Sequence, residues 1–387
     1  MTTAVNAARG FAAERVRNIP VSGLVELLDA ARSMGAVDMA SGVPGWPMPP
    51  PPMIEAAREE LRTGSHQYEH PNGNVELRTQ IAASLSTPAN PDTEITITVG
   101  GSEALCVSML SAVNPGDEVI VLEPFYENFL SAIATAGGQP RFVRLRAPEW
   151  RWDSAELAAS FNTRTRAIVL NSPSNPTGHV LSEGELSELA VMCQRWNATV
   201  VSDEVYSPYI FDERTHVSVA DVPGLRERAI TIGSLSKSHA VSGWRLGHLR
   251  APAEITAVLR RVHVATSCGT AGPLQRAAAR SGVLGSAWGS GRELQDLRDR
   301  TVSVFSSFGL GCLTPEGGCY VFADIRPCTA DDCNSFVRRM LTERGVLIVP
   351  GRFFFEDQNS DSGFVRIAFN KPRTTLELAA RRLLQDN

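Results

Sequence analysis

The chain has 387 residues, 43% of them hydrophobic, which allows a large core and two or three folding units. Its 37 Lys plus Arg against 42 Asp plus Glu give a formal charge of -5, and no block of like charge invites nucleic acid or an anionic membrane surface as a partner. No run reaches the roughly 18 apolar residues of a membrane helix, and Met1 to Gly10 lacks the pattern of a secretory signal. Seven cysteines without C-x-x-C or metal-ligand spacing read as reduced thiols, with Cys312/Cys319 and Cys328/Cys333 the only conceivable pairs, so a cytoplasmic protein without metal is expected.

Ala13 to Ser33 carries apolar residues at helical spacing around Ile19, Leu24, Leu27 and Leu28, and leads into Pro47, Pro49, Pro50, Pro51 and Pro52. That cluster is expected to be an extended, rigid connector. From about Thr93 to Arg250, short β-branched runs alternate with helical stretches, the signature of an α/β fold with a mostly parallel sheet covered by helices. The runs are Ile95 to Val99, Glu118 to Leu122, Ala167 to Leu170, Thr199 to Val201, Ala229 to Ile232 and Leu246 to Leu249. Helices fit Glu103 to Ala112, Glu183 to Arg195 and Ala253 to His263. After Gly285 a charged helix, Arg292 to Phe308, precedes the runs Tyr320 to Ile325, Val346 to Val349 and Phe364 to Ala368, which predict a smaller α/β domain. The expected division is an N-terminal arm with part of the small domain (1–45), a large domain (46–285) and a small C-terminal domain (286–387).

In open α/β sheets ligands bind beyond the carboxyl ends of the strands, so the residues after each run are the candidates for chemistry. Gly100-Gly101-Ser102-Glu103 opens a helix whose free N–H groups suit a phosphate, although a Gly-Gly pair alone is only a tight turn. Tyr126 follows the second run and could stack on a flat ring; Asn175 lies in a dense turn after the third. Asp203 and Tyr206 follow the fourth, and an Asp there is costly to bury without a partner. Ser234, Ser236 and Lys237 follow the fifth, with Arg245 eight residues on. No member decides anything singly. Together a phosphate cradle, a stacking ring, a carboxylate, a phenol, an amine and an arginine at one sheet edge are the parts a pyridoxal-phosphate site needs.

At this point the sequence resembles the fold-type I aminotransferases of class I/II over nearly its whole length. The matching motifs are S-G-V-P-G-W-P from Ser41, Y-x-x-x-x-G-x-x-x-L-R from Tyr68 to Arg78, N-P-T-G from Asn175, S-L-S-K-x-x-x-x-x-G-W-R-x-G from Ser234 to Gly247, T-P-E-G-G from Thr314 and V-R-I-A-F from Val365. The resemblance implies a seven-stranded sheet, pyridoxal 5'-phosphate as cofactor, and amino-group transfer from an L-amino acid to a 2-oxo acid. It implies Lys237 as Schiff-base lysine and proton carrier, Asp203 beside the pyridine nitrogen, Asn175 and Tyr206 as donors to the phenolic oxygen, and Tyr126 as stacking ring. Gly101, Ser102, Glu103, Ser234, Ser236 and Arg245 are expected around the phosphate, and Arg366 with Gly42 and Asn175 at the substrate α-carboxylate. Tyr68 is expected to serve a neighbouring subunit's site, which makes a homodimer with shared sites the expected partner state.

The resemblance further implies cis peptides at Glu123-Pro124 and Asn175-Pro176. His239 and His248 stand where the family has apolar side chains and are read as structural. Ser267 to Thr270 offers no second cation for an acidic substrate, and the stretches around Val262-His263 and Gly272 to Gln275 resemble those of kynurenine, aromatic and broad-specificity aminotransferases, which favours larger or less polar side chains. An alternative with the same residues is elimination, replacement or ring closure at Cβ or Cγ. A DNA-binding regulator is disfavoured, since only about forty residues precede Ser41 and no basic patch is present.

Overall fold

The computed structural model describes residue 11 and residues 13–20, 23–285, 291–358 and 362–384. The reading of Met1 to Gly10 lies outside the described residues. Thirteen strands follow in order: β1 (Val37–Asp38), β2 (Ile95–Val99), β3 (Glu118–Glu123), β4 (Gln139–Arg144), β5 (Thr165–Asn171), β6 (Thr199–Asp203), β7 (Ala229–Ser234), β8 (Leu246–Arg250), β9 (Gly311–Cys312), β10 (Tyr320–Asp324), β11 (Val346–Leu347), β12 (Val349–Pro350) and β13 (Phe364–Ala368).

Seven of them form one sheet in the order β2-β8-β7-β6-β5-β3-β4, parallel throughout except β8, which runs against both neighbours. Every residue of β3 is buried, as is expected when helices cover both faces of a sheet. The carboxyl ends of β2, β3, β5, β6 and β7 therefore face one edge, where Gly100, Pro124, Ser172, Glu204 and Leu235 follow. A second, antiparallel sheet runs β12-β13-β10-β9, and β1 pairs in parallel with β11, which stitches the N-terminal segment to the C-terminal part of the chain. No disulfide joins the described cysteines, and no described helix is long and apolar enough to cross a membrane.

Three local expectations are corrected. The helical pattern from Ala13 to Ser33 divides into Glu14–Arg17 and Leu24–Ser33, because Pro20 lacks the N–H a continuous helix needs and disfavours helical backbone at Ile19. The proline cluster is not wholly extended: Pro50 caps, and Pro51 and Pro52 begin, the helix Pro51–Thr63. At a helix start the missing N–H costs nothing and the fixed φ is already suitable. The run Val346 to Val349 divides at Ile348, its first half pairing with β1 and its second with β13. Strand β4 escaped the sequence pattern, since only Val143 is fully buried on this sheet-edge strand and Pro140 lies within it.

Gly247 on β8 faces the turn from β2 into the helix Gly100–Ala112, and a Cβ there would press on the Gly100 carbonyl and lie 2.7 Å from the Gly101 nitrogen. Both contacts are backbone and neither can rotate away. Gly247→Ala is expected to cost about 1–3 kcal/mol, read as a lowered thermal midpoint together with weaker cofactor retention. An unchanged midpoint would show that the turn yields without strain.

Candidate active site

The strand ends open onto a cavity of about 370 Å³. Gly101, Ser102, Tyr126, Asn175, Asp203, Tyr206, Ser234, Ser236, Lys237, Arg245, Gly42 and Arg366 all line it, so twelve of the fourteen expected site residues meet in one place. The two others do not. Glu103 turns away: its carboxylate accepts hydrogen bonds from the Val99 N–H, from Ser267 Oγ and from His263 Nδ1 (2.9 Å). Tyr68 is 92% exposed and lies outside this chain's cavity.

Asp203 ends β6, in the middle of the sheet. Its carboxylate accepts one hydrogen bond, from the Val205 N–H (3.2 Å), and has no ion-pair partner among the described residues. Burial raises its pKa to about 7, against the pull of that hydrogen bond and of Lys237. Lys237 sits in the short helix Leu235–Ser238 directly after β7, whose start is capped by Ser234: the Ser236 N–H donates to Ser234 Oγ at 3.1 Å. Burial lowers the lysine pKa, Arg366 and Arg245 add to that effect, and Cys319 and Asp203 oppose it. A larger fraction of neutral, nucleophilic amine results. Lys237 Nζ donates to the Gly42 carbonyl at 2.9 Å.

Arg366 projects from β13 and is 4% exposed. It donates to Asn175 Oδ1 (2.9 Å) and to the Ala40 carbonyl (3.0 Å), while its Nε is buried without a hydrogen-bond partner. Its guanidinium lies between the rings of Tyr320 (4.2 Å) and Phe354 (4.8 Å). Arg245 has a left-handed backbone, φ 55°, and donates to the Ser242 carbonyl (3.0 Å) and the Val99 carbonyl (3.4 Å), which brings its head to Gly100. A side chain on Gly100, itself at φ +70°, would meet that guanidinium. Tyr126 lies with its ring edge-on to Phe129 and its hydroxyl accepting from Asn128 (2.7 Å); burial raises its pKa to about 12.

Several observations fit these residues to pyridoxal phosphate. Among the described residues the half-buried Asp203 carboxylate has no ion-pair partner, and a protonated ring nitrogen would supply one. The Ser236 hydroxyl is buried without a hydrogen-bond partner near a thirteen-residue helix whose N-terminal groups, Gly101 and Ser102, face the cavity. A depressed lysine completes the set.

The family model described as aminotransferase class I and II matches residues 36–383. The chain belongs to this family.

As a member of the class I and II aminotransferases it uses pyridoxal phosphate to move an amino group from an amino acid to a 2-oxo acid. It is 33% identical to the probable N-succinyldiaminopimelate aminotransferase DapC of Mycobacterium tuberculosis, over 95% of this chain and 97% of that one. The solved structure of N-succinyldiaminopimelate aminotransferase from that organism superposes with a TM-score of 0.92, covering 96% of this chain and 99% of the other. Kynurenine--oxoglutarate transaminase 1 of Homo sapiens is 30% identical over 97% of this chain and 98% of its own. The solved YbdL of Escherichia coli, described with a methionine aminotransferase function, is 30% identical over 94% and 99% of the two chains, with a TM-score of 0.88. These relatives transfer amino groups, and the elimination or cyclisation alternative gains nothing from them.

Both expected cis peptides are present, joined by Trp46-Pro47, Ala147-Pro148 and Ser172-Pro173. His239 lies beside the site but outside its lining, bonded to Ser238 Oγ (2.8 Å) and the Val283 carbonyl (3.3 Å); His248 is half-buried in β8, where desolvation lowers its pKa to about 4. Lining residues that the sequence reading did not single out include Leu24, Leu28, Val43, Tyr320, Phe353 and Phe354.

The turn bearing Asn175 is clamped by His179. Its Nε2 bonds Glu185 at 3.0 Å and its Nδ1 bonds Glu316 at 3.1 Å, so the loop after β5 is tied both to the helix Glu183–Trp196 and to the segment leading into β10. Burial opposes the charge on the imidazole, but the two carboxylates outweigh it and raise the pKa to about 9. A folded-state pKa above the ordinary 6.5 contributes stability that is complete below pH 6.5 and is lost as pH rises through 9. The difference in thermal midpoint between the native protein and His179→Gln is therefore expected to be largest near pH 6, on the order of 1–3 kcal/mol in stability, and to shrink between pH 6.5 and 9. Parallel midpoint curves across that range would refute the charged clamp.

Proposed function

We propose that the amino donor carries a bulky apolar or aromatic side chain, and that the cavity's residues act as follows. Lys237 holds the cofactor and, once displaced by substrate, its free amine moves the proton at Cα. Asp203 keeps the ring nitrogen protonated, Asn175 and Tyr206 donate to the phenolic oxygen, and Tyr126 stacks on the ring. Gly101, Ser102, Ser234, Ser236 and Arg245 hold the phosphate. Arg366, oriented by Asn175, clasps the substrate α-carboxylate next to Gly42. The cofactor supplies an electron-withdrawing ring that accepts the electron pair left at Cα.

The observation that carries the donor assignment is the wall opposite the strand ends. Leu24 and Leu28 from the helix Leu24–Ser33, Val43, Phe353 and Phe354 line it. Among the described residues the cationic lining side chains are Lys237, Arg245 and Arg366, each with a role above, which leaves none to pair with a side-chain carboxylate. Burying one such apolar side chain is worth about 1.5–3 kcal/mol. A donor series of leucine, methionine, phenylalanine, kynurenine, aspartate and N-succinyldiaminopimelate, followed by loss of the yellow colour and release of the matching oxo acid, is expected to rank aspartate at least tenfold below the apolar members in kcat/KM. Aspartate or N-succinyldiaminopimelate ranking first would overturn the assignment.

The same reading includes a cytoplasmic location, supported by cysteines that form no disulfide among the described residues, and a homodimer in which Tyr68 reaches the other subunit's phosphate site. The 92% exposure of that large ring supports the dimer. Lys237→Ala and Tyr68→Phe then damage a site from different chains. Co-expressed and mixed at random, the two variants are expected to recover roughly a quarter of native activity, because one site of each mixed dimer is intact. Activity no higher than the average of the two separate variants would remove the shared site.

A further inference from the structure

Tyr320 is used by none of the roles above. It begins β10, where Phe322 stands opposite Arg366 in antiparallel register with β13; two residues earlier, Tyr320 shares that face, and its ring covers the Arg366 guanidinium at 4.2 Å. Its hydroxyl lies 3.3 Å from the hydroxyl of Tyr206, with the two rings edge to face at 6.0 Å, and both residues are buried. The hydroxyl also touches Gly42, where a Cβ would overlap it. The Gly42 carbonyl in turn accepts from Lys237 Nζ (2.9 Å) and Asn370 Nδ2 (3.1 Å). One phenol is thus wedged between the arginine, the lysine's backbone partner and Tyr206.

A phenol has one proton and can donate once. If Tyr206 donates to the phenolic oxygen of the cofactor, its own proton is committed to the cavity, and the Tyr206–Tyr320 hydrogen bond must be donated by Tyr320. We propose that Tyr320 is a positioning residue: its hydroxyl donates to the Tyr206 oxygen, fixes the Tyr206 proton toward the ring site, and strengthens Tyr206 as a donor. The inference rests on the reading of Tyr206 just given. Chained hydrogen bonds polarise one another by roughly 10–30% each, so removing the outer phenol weakens the inner one without moving it far. Burial raises the Tyr320 pKa, which keeps the donating proton in place at all working pH values.

The two parts of the side chain have separable duties: the ring covers Arg366 and the hydroxyl serves Tyr206. The titratable groups facing Tyr206 are Tyr320, Cys319 and Tyr126, and those facing Lys237 are Cys319, Arg366, Asp203 and Arg245. Tyr320→Phe alters only the first of these sets.

The experiment is a spectrophotometric pH titration of the lysine-linked cofactor band in the native holoenzyme and in Tyr320→Phe, Tyr206→Phe and the double variant, with KM for the preferred amino acid measured alongside. A weaker donor stabilises the phenolate less, so the titration midpoint of Tyr320→Phe is expected to rise by about 0.2–0.5 pH unit, with KM within about twofold because the ring still covers Arg366. The double variant is expected to titrate where Tyr206→Phe does, since Tyr320 acts only through Tyr206. Tyr320→Leu, which removes the ring as well, is expected to raise KM in addition. A native protein that titrates while Tyr320→Phe keeps the native midpoint would overturn the positioning role alone, as would a double variant whose shift is the sum of the two. A native protein with no titrating visible band would overturn the Lys237 and Tyr206 assignments, and this inference with them.

Discussion

A half-buried carboxylate at the end of a central strand, with no ion-pair partner among the described residues, is the constraint on which the rest of the site depends. Asp203 can be there because β6 lies between β5 and β7, and the same position strips it of water and raises its pKa to about 7. Burying a charge in this way costs several kcal/mol unless something compensates. The neighbouring ionisable groups do not neutralise it. Lys237 donates to the Gly42 carbonyl, and Arg366 donates to the Ala40 carbonyl and the Asn175 amide oxygen while its Nε is left without a hydrogen-bond partner. Neutral dipoles therefore hold both cations in place, leaving carboxylate, amine and guanidinium available to a ligand that carries the opposite charges.

Those neutral partners come from far along the chain. Ala40 and Gly42 belong to the segment that follows β1, which reaches the site only because β1 pairs with β11. Asp38, at the end of β1, accepts from the Ala40 and Ser41 N–H groups (2.9 Å each) and thereby fixes the turn that presents both carbonyls. From the other side, His179 ties the Asn175 turn to Glu316 on the approach to β10. The Gly317 N–H adds a bond to the Gly178 carbonyl at 2.9 Å. The seven-stranded sheet supplies the reacting groups, and the smaller sheets with the N-terminal segment determine where Arg366 and Tyr320 stand relative to them.

Much of this was legible in the sequence, and for one reason: parallel strands with helical crossovers put their carboxyl ends on a common edge, so residues after each apolar run converge whatever their separation along the chain. Asp203, Lys237, Asn175 and Tyr126 follow from that rule before any motif is considered. Glu103 shows its limit. Successive helical residues turn by about 100°, so a helix that points Ser102 at the cavity points Glu103 elsewhere, toward His263 and Ser267. Tyr320, Leu24, Leu28 and Phe353 were not legible because no strand-end rule applies to them. They arrive through the packing of separate layers, as with Tyr206 and Tyr320, which are 114 positions apart in sequence and bonded through their hydroxyls.

The division between what could and could not be read has a functional counterpart. Groups that act on bonds to Cα occupy positions set by sheet topology, where displacement by a few tenths of an ångström would cost packing on both faces. The groups proposed to meet the substrate side chain lie on the helix Leu24–Ser33 and the turn Gly351–Phe354. Gly23 seats that helix directly against the Phe353 ring, with no room for a Cβ, and the Phe354 carbonyl accepts from the Phe125 N–H at 2.9 Å, so the apolar wall is anchored to the strand edge by backbone as well as by side chains. On the proposed reading a substitution at Leu24, Leu28 or Phe353 changes which side chain fits without disturbing Asp203, Lys237 or Arg366, whereas Phe354 also covers the Arg366 guanidinium. On the proposed reading, the chemistry and the choice of donor are built from different parts of the chain.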